Sequence, residues 1–195
     1  LLWFIGLWSV IVYSPVTYWV RGGGFLGEAG VLDFAGGTVV HINSGIAALV
    51  AAIMVGKRKG FGVENLAPHN VSLTMIGGSL LWVGWFGFNA GSALAANGRA
   101  GMVFLVTHVA AATAILTRMF VQWTHHGKPT LVGITKGVIA RLAMITLASG
   151  DVSRGCALII GFAGGITCYV MSDLVQKVLK VDDSLDVFAV YGVGG

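Results

Sequence analysis

Long apolar runs recur along this chain, and each is long enough to cross a bilayer as a helix. They cover roughly residues 1–20, 34–56, 71–98, 101–124, 130–149 and 154–176, and a seventh begins near residue 187. A membrane-spanning helix needs about 20 predominantly apolar residues, and the runs lack the period-2 alternation typical of strands. Only 10% of the 195 residues are charged, whereas a soluble domain carries about 25%. The sequence therefore predicts an all-α integral membrane protein with about six transmembrane helices and the start of a seventh.

Basic residues cluster in alternate connections of this predicted helix series. The connections after the second, fourth and sixth runs hold Lys57, Arg58, Lys59, Lys128, Lys177 and Lys180. The basic residues of the other connections are Arg21, Arg99 and Arg154. By the positive-inside rule, segments 57–70, 124–130 and 177–186 are cytoplasmic. We therefore expect a multi-pass protein of the cell's inner or plasma membrane, whose net charge of +4 calls for no nucleic-acid partner.

Both ends of the chain fall inside apolar or glycine-rich stretches, so we expect an internal piece of a longer protein. We interpret residues 1–195 as one partial transmembrane domain. The sequence contains no evident nucleotide-binding loop, metal-ligand cluster or nucleophile–base pair, and the paired His125 and His126 have no further ligand nearby. We accordingly expect no enzymatic catalysis, no metal and no cofactor in this segment.

The stretch DFAGGTVVHINSG, residues 33–45, places two ionisable side chains at the start of the second run. Asp33 directly precedes the helical residues. An aspartate at this position caps the helix, and the positive end of the helix dipole stabilises its negative charge. His41 lies about two turns further in, and helical spacing puts it on one face with Gly37, Ser44, Ala48 and Ala52. Small residues let another helix approach closely, and ionisable residues inside a membrane mark functional pathways. The pattern predicts that His41 faces protein or a pore.

The third run contains a cluster of aromatic and polar residues, in the stretch LLWVGWFGFNAGSALAANG. Trp85, Phe88 and Ser92 share one helix face, so rings and a hydroxyl can border one cavity. An aromatic face attracts a small cation through its quadrupole. Packing, or an aromatic belt at the membrane interface, is the alternative interpretation of this cluster.

These stretches resemble the Amt/Mep/Rh ammonium transporter family. The segments DFAGGTVVH, GWFGFNAGSA, ALIIG and DVFAVYGVGG are similar to its signature segments, in the same order and at the same spacing, and the resemblance covers the whole chain. It implies a fragment of an eleven-helix bundle with inverted repeats, similar to helices four to nine and the start of the tenth. It also implies a homotrimer with one pore per subunit.

The resemblance also implies a role for each matching position. Ser92 and Phe88 would bind ammonium at an outer recruitment site that Asp33 supports structurally, and Phe88 would form one ring of the gate below it. His41 would be the first of two pore histidines, in a pore that Trp85 and Tyr191 also line. The implied activity is transport of ammonium that is recruited, deprotonated and carried through a narrow hydrophobic pore as ammonia.

Several positions depart from the family pattern. Tyr191 stands where the family has its second pore histidine, and Arg21 stands where many members place a tryptophan over the outer site. Tyrosine carries one hydroxyl with a pKa near 10, so it is a poor partner for an imidazole proton relay. In the fifth run, Lys136 can extend to the cytoplasmic edge, whereas Arg141 near mid-membrane needs a partner or water.

Three hypotheses stay open on the sequence alone. The first is an ammonium transporter, and the second is an ammonium receptor that keeps the outer site but conducts poorly and signals to a further domain. The third is a non-conducting structural subunit of a mixed trimer. The partners that these hypotheses imply are ammonium or ammonia, and either a cytosolic PII-type regulator or a fused signalling domain.

Overall fold

The computed structural model describes residues 2–64 and 66–195, with all their side chains except that of Arg141. The prediction that Arg141 needs a partner or water therefore concerns a side chain outside the described ones. Within the described part the chain is helical and contains no strand. Its helices are α1 (residues 2–21), α2 (Phe25–Glu28), α3 (Gly37–Val55), α4 (Val71–Gly91), α5 (Gly98–His126), α6 (Leu131–Ala148), α7 (Arg154–Val178) and α8 (Phe188–Gly192).

Six of the described helical segments are long and apolar enough to cross a membrane, and they coincide with the six predicted runs. Four of them begin at a residue whose side-chain oxygen accepts an amide hydrogen bond from the first turn, namely Asn70, Asn97, Thr130 and Ser153. Such caps satisfy backbone donors that a helix start leaves unpaired. The prediction of an all-α membrane protein is confirmed.

One helix boundary differs clearly from the predicted one. We expected the third run to continue to residue 98, but α4 ends at Gly91 and residues 92–97 form a turn, in which Leu94 adopts a left-handed φ of 54°. The first run ends at Arg21 and the chain then turns through Gly23, whose φ is 87°. Hydropathy does not reveal the end of α4, because the turn at residues 92–97 contains apolar residues.

Helix α5 lies against α4, α6 and α7, and the core between them is built from small and branched side chains. Val106, Ala110, Ile145 and Ala157 form one fully enclosed cluster. Many large apolar residues on the outer helix faces are exposed, among them Leu80, Val83, Ile159 and Phe162. These outer faces suit contact with lipid, because the surrounding bilayer is as apolar as the side chains.

The predicted small-residue face of α3 permits two close helix contacts. A Cβ added at Gly45 would lie 2.2 Å from the backbone nitrogen of Gly192, so α3 and α8 touch backbone to backbone. A Cβ at Gly37 would lie 2.5 Å from the Cβ of Leu147 in α6. The close helix approach that we inferred from the small residues is confirmed at Gly37. The contact with α8 falls at Gly45, next to Ser44 of the predicted face.

Two ion pairs join connections that are far apart in sequence. The Arg58 guanidinium donates to Asp182, which links the segment after α3 to the segment after α7. At the opposite ends of the helices, Arg99 pairs with Asp151 at 3.0 Å. The lysine-rich connections therefore share one face of the bundle, as the distribution of basic residues predicts for the cytoplasmic side.

We predict that Gly45→Ala destabilises the protein, because the added Cβ would collide with the Gly192 backbone. Overpacking of this kind costs about 1–3 kcal/mol, whereas alanine in an open helix position gains about 0.5–1 kcal/mol over glycine. Thermal unfolding of the full-length protein in detergent measures the difference. Gly84→Ala is the matched control, because within the described residues no atom beyond the adjacent backbone of its own helix lies within 4 Å of a Cβ added at Gly84. Equal melting temperatures for the two variants would contradict the close contact.

We also predict a pH dependence from the Arg58–Asp182 pair. Hydrogen bonds from Arg58 hold the pKa of Asp182 below its usual range. A lowered carboxyl pKa stabilises the folded state above the unfolded pKa of about 3.9, and this contribution is lost as the pH falls through the lower folded pKa. The native protein should therefore melt above Asp182→Asn at pH 5–7, and the gap should close towards pH 3. A gap that persists unchanged at pH 3 would refute the assignment.

Candidate functional site

Asp33 caps the start of α3 with both carboxylate oxygens. Oδ1 accepts hydrogen bonds from the amides of Gly36 and Gly37 at 2.7 Å, and Oδ2 accepts from those of Thr38 and Val39 at 3.0 Å. The positive φ of 101° at Gly36 allows the turn that aims these amides at one side chain. The half-buried carboxylate thus satisfies four helix-start donors, and the capping role that we predicted is confirmed.

His41 lies on the protein side of α3 and is only 2% exposed. Three aromatic rings surround its imidazole: the centroids of Trp85 and Tyr191 lie 5.3 Å away, and that of Phe88 lies 5.8 Å away. His41 and Tyr191 both fall in π-helical turns, Gly37–Ile42 and Phe188–Gly192. Turns of this type occur frequently at functional sites. The structure therefore brings together four of the predicted residues and turns His41 away from lipid.

The imidazole of His41 has one unsatisfied polar atom. Its Nδ1 is buried and has no hydrogen-bond partner among the described residues. A buried polar atom without a partner costs about 1–3 kcal/mol, so such atoms need an explanation in a native structure. An atom of this kind can donate a hydrogen bond to a small molecule beside it, or accept one from it.

A buried polar network holds Trp85 beside His41. The indole Nε1 of Trp85 donates to the Thr146 hydroxyl at 2.9 Å, and that oxygen lies 3.1 Å from Oδ1 of Asn89. Asn89 in turn donates from Nδ2 to the Thr107 hydroxyl at 3.0 Å. The sequence does not predict that Thr146 and Thr107 accept hydrogen bonds from side chains of α4, because nothing in the apolar helices around them marks these partners.

Phe88 and Ser92 lie at the end of α4, after Trp85 in sequence, and are more exposed than Trp85. Phe88 is 39% exposed. The Ser92 hydroxyl donates to the Phe88 carbonyl at 2.9 Å, and within the described residues no hydrogen bond joins it to Asp33. Phe88 thus links the enclosed imidazole to the outer end of α4, where Ser92 closes the helix.

The carboxylates of Asp183 and Asp186 fix the start of α8, and the sequence alone does not predict their contacts. The buried Asp186 carboxylate accepts hydrogen bonds from Nζ of Lys136 in α6 and from Nε2 of Gln176 in α7. The carboxylate of Asp183 accepts from the Phe188 amide at 2.8 Å. Lys136 thus pairs with a buried acid, and the need of an ammonium group in an apolar run for such an acid was the sequence clue to this pair.

Comparison with known proteins decides the family. The model of the ammonium transporter family matches residues 1–195. This chain belongs to the ammonium transporter family. The chain is 52% identical over 189 residues to the ammonium transporter of Aquifex aeolicus, covering 97% of this chain and 44% of that protein. It is 50% identical to the ammonium transporter Amt1 of Archaeoglobus fulgidus, covering 97% and 48% respectively.

Two solved structures are similar to this chain over nearly its whole length. The crystal structure of Saccharomyces cerevisiae Mep2 matches with a TM-score of 0.91 and 40% identity, over 98% of this chain and 44% of Mep2. A structure described as a sensor Amt protein matches with a TM-score of 0.91 and 37% identity, over 94% of this chain and 48% of that one. The chain thus spans less than half the length of these relatives, and it is a fragment of a larger multi-pass membrane fold.

Arg21, one of the residues that depart from the family pattern, is exposed on the surface. Arg21, at the end of α1, and Glu28 are both exposed, and the described part of the chain contains no ion pair between them. Arg21 is therefore an exposed positive charge that Glu28 does not neutralise within the described residues. Tyr191, in contrast, lies against His41.

We predict that the Asp33 cap contributes substantially to folding stability. Asp33→Ala removes the acceptor for four amides and should lower the free energy of unfolding by about 2 kcal/mol. Asp33→Asn keeps one oxygen and should cost roughly half as much. Thermal or denaturant unfolding in detergent measures both effects. Asp173→Asn is the control, because its exposed pair with Lys177 should contribute less than about 1 kcal/mol. Equal losses for Asp33→Ala and the control would contradict the capping role.

Proposed function

We propose that the full-length protein transports ammonium across a membrane, and that α3, α4 and α8 supply part of the pore wall. The observation that carries this proposal is the enclosure of His41 by Trp85, Phe88 and Tyr191. Membership in the ammonium transporter family supports it. On this proposal the 195 residues form one partial transmembrane domain, and the segment performs no enzymatic reaction.

The narrowness of the ring enclosure explains selectivity. Moving a bare monovalent ion into a medium of low dielectric costs on the order of 20 kcal/mol before relaxation. Ammonium, sodium and potassium all face that cost, whereas neutral ammonia escapes it. Transport therefore proceeds by removal of a proton at the outer end and passage of ammonia past His41, whose Nδ1 has no protein partner among the described residues. A neutral imidazole has one nitrogen that donates and one that accepts a hydrogen bond, so it can hand a proton along a hydrogen-bonded chain.

The outer end of the pore recruits the cation in this proposal. Ser92 and Phe88 offer a hydroxyl and an exposed ring face, and a ring face attracts a cation by about 0.5–2 kcal/mol. Asp33 acts by holding the start of α3, since its oxygens already accept four amide hydrogens. A structure with bound ammonium should therefore show no contact between the ion and the Asp33 carboxylate.

A second function, ammonium sensing, is favoured by one specific observation. Tyr191 occupies the position beside His41, and a phenol with an ordinary pKa near 10 relays protons poorly near neutral pH. A sensor would bind ammonium at the outer end, conduct poorly and signal to a further domain or partner. A fused signalling domain or a cytosolic PII-type protein fits that role, and a homotrimer is the assembly that we propose for either function.

We predict that Tyr191→His raises ammonium flux at least tenfold over the native protein. The change places a second imidazole beside His41, and because each imidazole has one nitrogen that donates and one that accepts a hydrogen bond, a proton can pass between the two side chains. Uptake of methylammonium and the accompanying current, measured with full-length protein in proteoliposomes, test the prediction. Equal and robust currents from both proteins would show that Tyr191 is no obstacle and would remove the main support for sensing.

Two controls make this comparison specific. Tyr191→Phe keeps the ring and removes the hydroxyl, so it should conduct no better than the native protein if the imidazole matters. Thermal stabilisation by ammonium chloride over sodium chloride should be similar in all three proteins, because recruitment depends on Ser92 and Phe88. Loss of both flux and stabilisation in the native protein would exclude transport and sensing together.

A further inference from the structure

A basic pocket lies where α3 and α7 end on the predicted cytoplasmic face. Its volume is about 490 Å³, and it is lined by Lys57, Phe61, Gly62, Gln176, Lys177 and Lys180. Ligand sites typically enclose about 300–1,000 Å³. The pocket is separate from the rings around His41 and has no part in the transport proposal.

The charge of this pocket is only partly neutralised by protein groups. Lys177 pairs with Asp173 at 2.6 Å, but within the described residues Lys57 and Lys180 pair with no carboxylate. Asp182, which lies two residues after Lys180, is occupied by Arg58. The pocket therefore keeps two ammonium groups free for an anion.

The walls of the pocket are held in place by contacts of their own. The Lys57 ammonium lies 5.8 Å from the centre of the Phe61 ring, which forms part of the wall. Lys180 has a left-handed φ of 54°, in a turn fixed by the Val181 amide, which donates to the Val175 carbonyl at 3.1 Å. The Arg58–Asp182 pair joins the two connections that carry these lysines. The lysines thus project from a defined concave surface.

The position of the pocket in the membrane indicates the kind of anion. Helix α3 ends at Val55 and α7 ends at Val178, and the connection just beyond two membrane-spanning helices is expected at the depth of the lipid headgroups. The cytoplasmic leaflet is negatively charged and attracts basic residues at about this depth. We propose that this pocket binds a phosphate group, whose source is either the headgroup of an anionic phospholipid or a free phosphate anion.

Binding to the full-length protein in neutral detergent tests this site. Native mass spectrometry measures the affinity for dioleoylphosphatidylglycerol and dioleoylphosphatidylcholine, and titration calorimetry measures the affinity for inorganic phosphate. Lys57→Gln combined with Lys180→Gln should weaken phosphatidylglycerol binding about 25-fold, or about fivefold per lysine. Lys59→Gln combined with Lys128→Gln is the matched control: both residues are exposed, predicted cytoplasmic and outside the pocket. The control should change the affinity less than twofold.

Each outcome decides the proposal. Lysine-dependent binding of phosphatidylglycerol without binding of inorganic phosphate assigns the pocket to lipid headgroups, and lysine-dependent binding of inorganic phosphate assigns it to free phosphate. Equal weakening by the pocket pair and the control pair would mean that surface charge alone attracts the lipid, and would overturn the proposal. Unchanged affinity in the pocket pair, or no preference for phosphatidylglycerol over phosphatidylcholine together with no phosphate binding, would also overturn it.

Discussion

The backbone contact between Gly45 and Gly192 fixes the distance between the two helices that carry His41 and Tyr191. A Cβ at Gly45 would lie 2.2 Å from the nitrogen of Gly192, and one at Gly195 would lie 2.7 Å from the Cβ of His41. Because neither glycine has a Cβ, the imidazole and the phenol ring can approach to 5.3 Å. The enclosure of His41 therefore depends on side-chain atoms that are absent as much as on the rings that are present.

Polar groups inside the helix bundle are satisfied in sets. Asp33 takes up four amides, the Trp85 indole is bonded through Thr146, and the Asp186 carboxylate is shared by Lys136 and Gln176. An unpaired polar group in an apolar surrounding costs several kcal/mol, so each set holds its helices in one arrangement. Within the described residues four buried side-chain nitrogens have no hydrogen-bond partner, on His41, Asn43, Trp82 and Arg118, and of these the Nδ1 atom of His41 lies among the rings of the site. The network thus orients Trp85 and leaves the neighbouring imidazole available.

The parts of the fold that depend on local sequence could be predicted. The helix spans follow from hydropathy and length, the Asp33 cap follows from its place before a helix, and the inward direction of His41 follows from small residues at helical spacing. The end of α4 at Gly91 could not be predicted, because the turn before Asn97 is as apolar as a helix. Thr146 and Asp186 could not be assigned either, since Trp85 lies 61 residues from Thr146, and Lys136 lies 50 residues from Asp186.

The environment of Tyr191 separates two requirements that a pore for ammonium must meet. Passage of a neutral molecule requires a narrow apolar enclosure, and the rings of Trp85, Phe88 and Tyr191 around His41 have that form. Movement of the proton requires groups that exchange it near neutral pH, which imidazole does and phenol does poorly. A phenol beside His41 therefore preserves the first requirement while it weakens the second. On the proposed function, the choice between transport and sensing therefore depends on the proton step rather than on the shape of the ring enclosure.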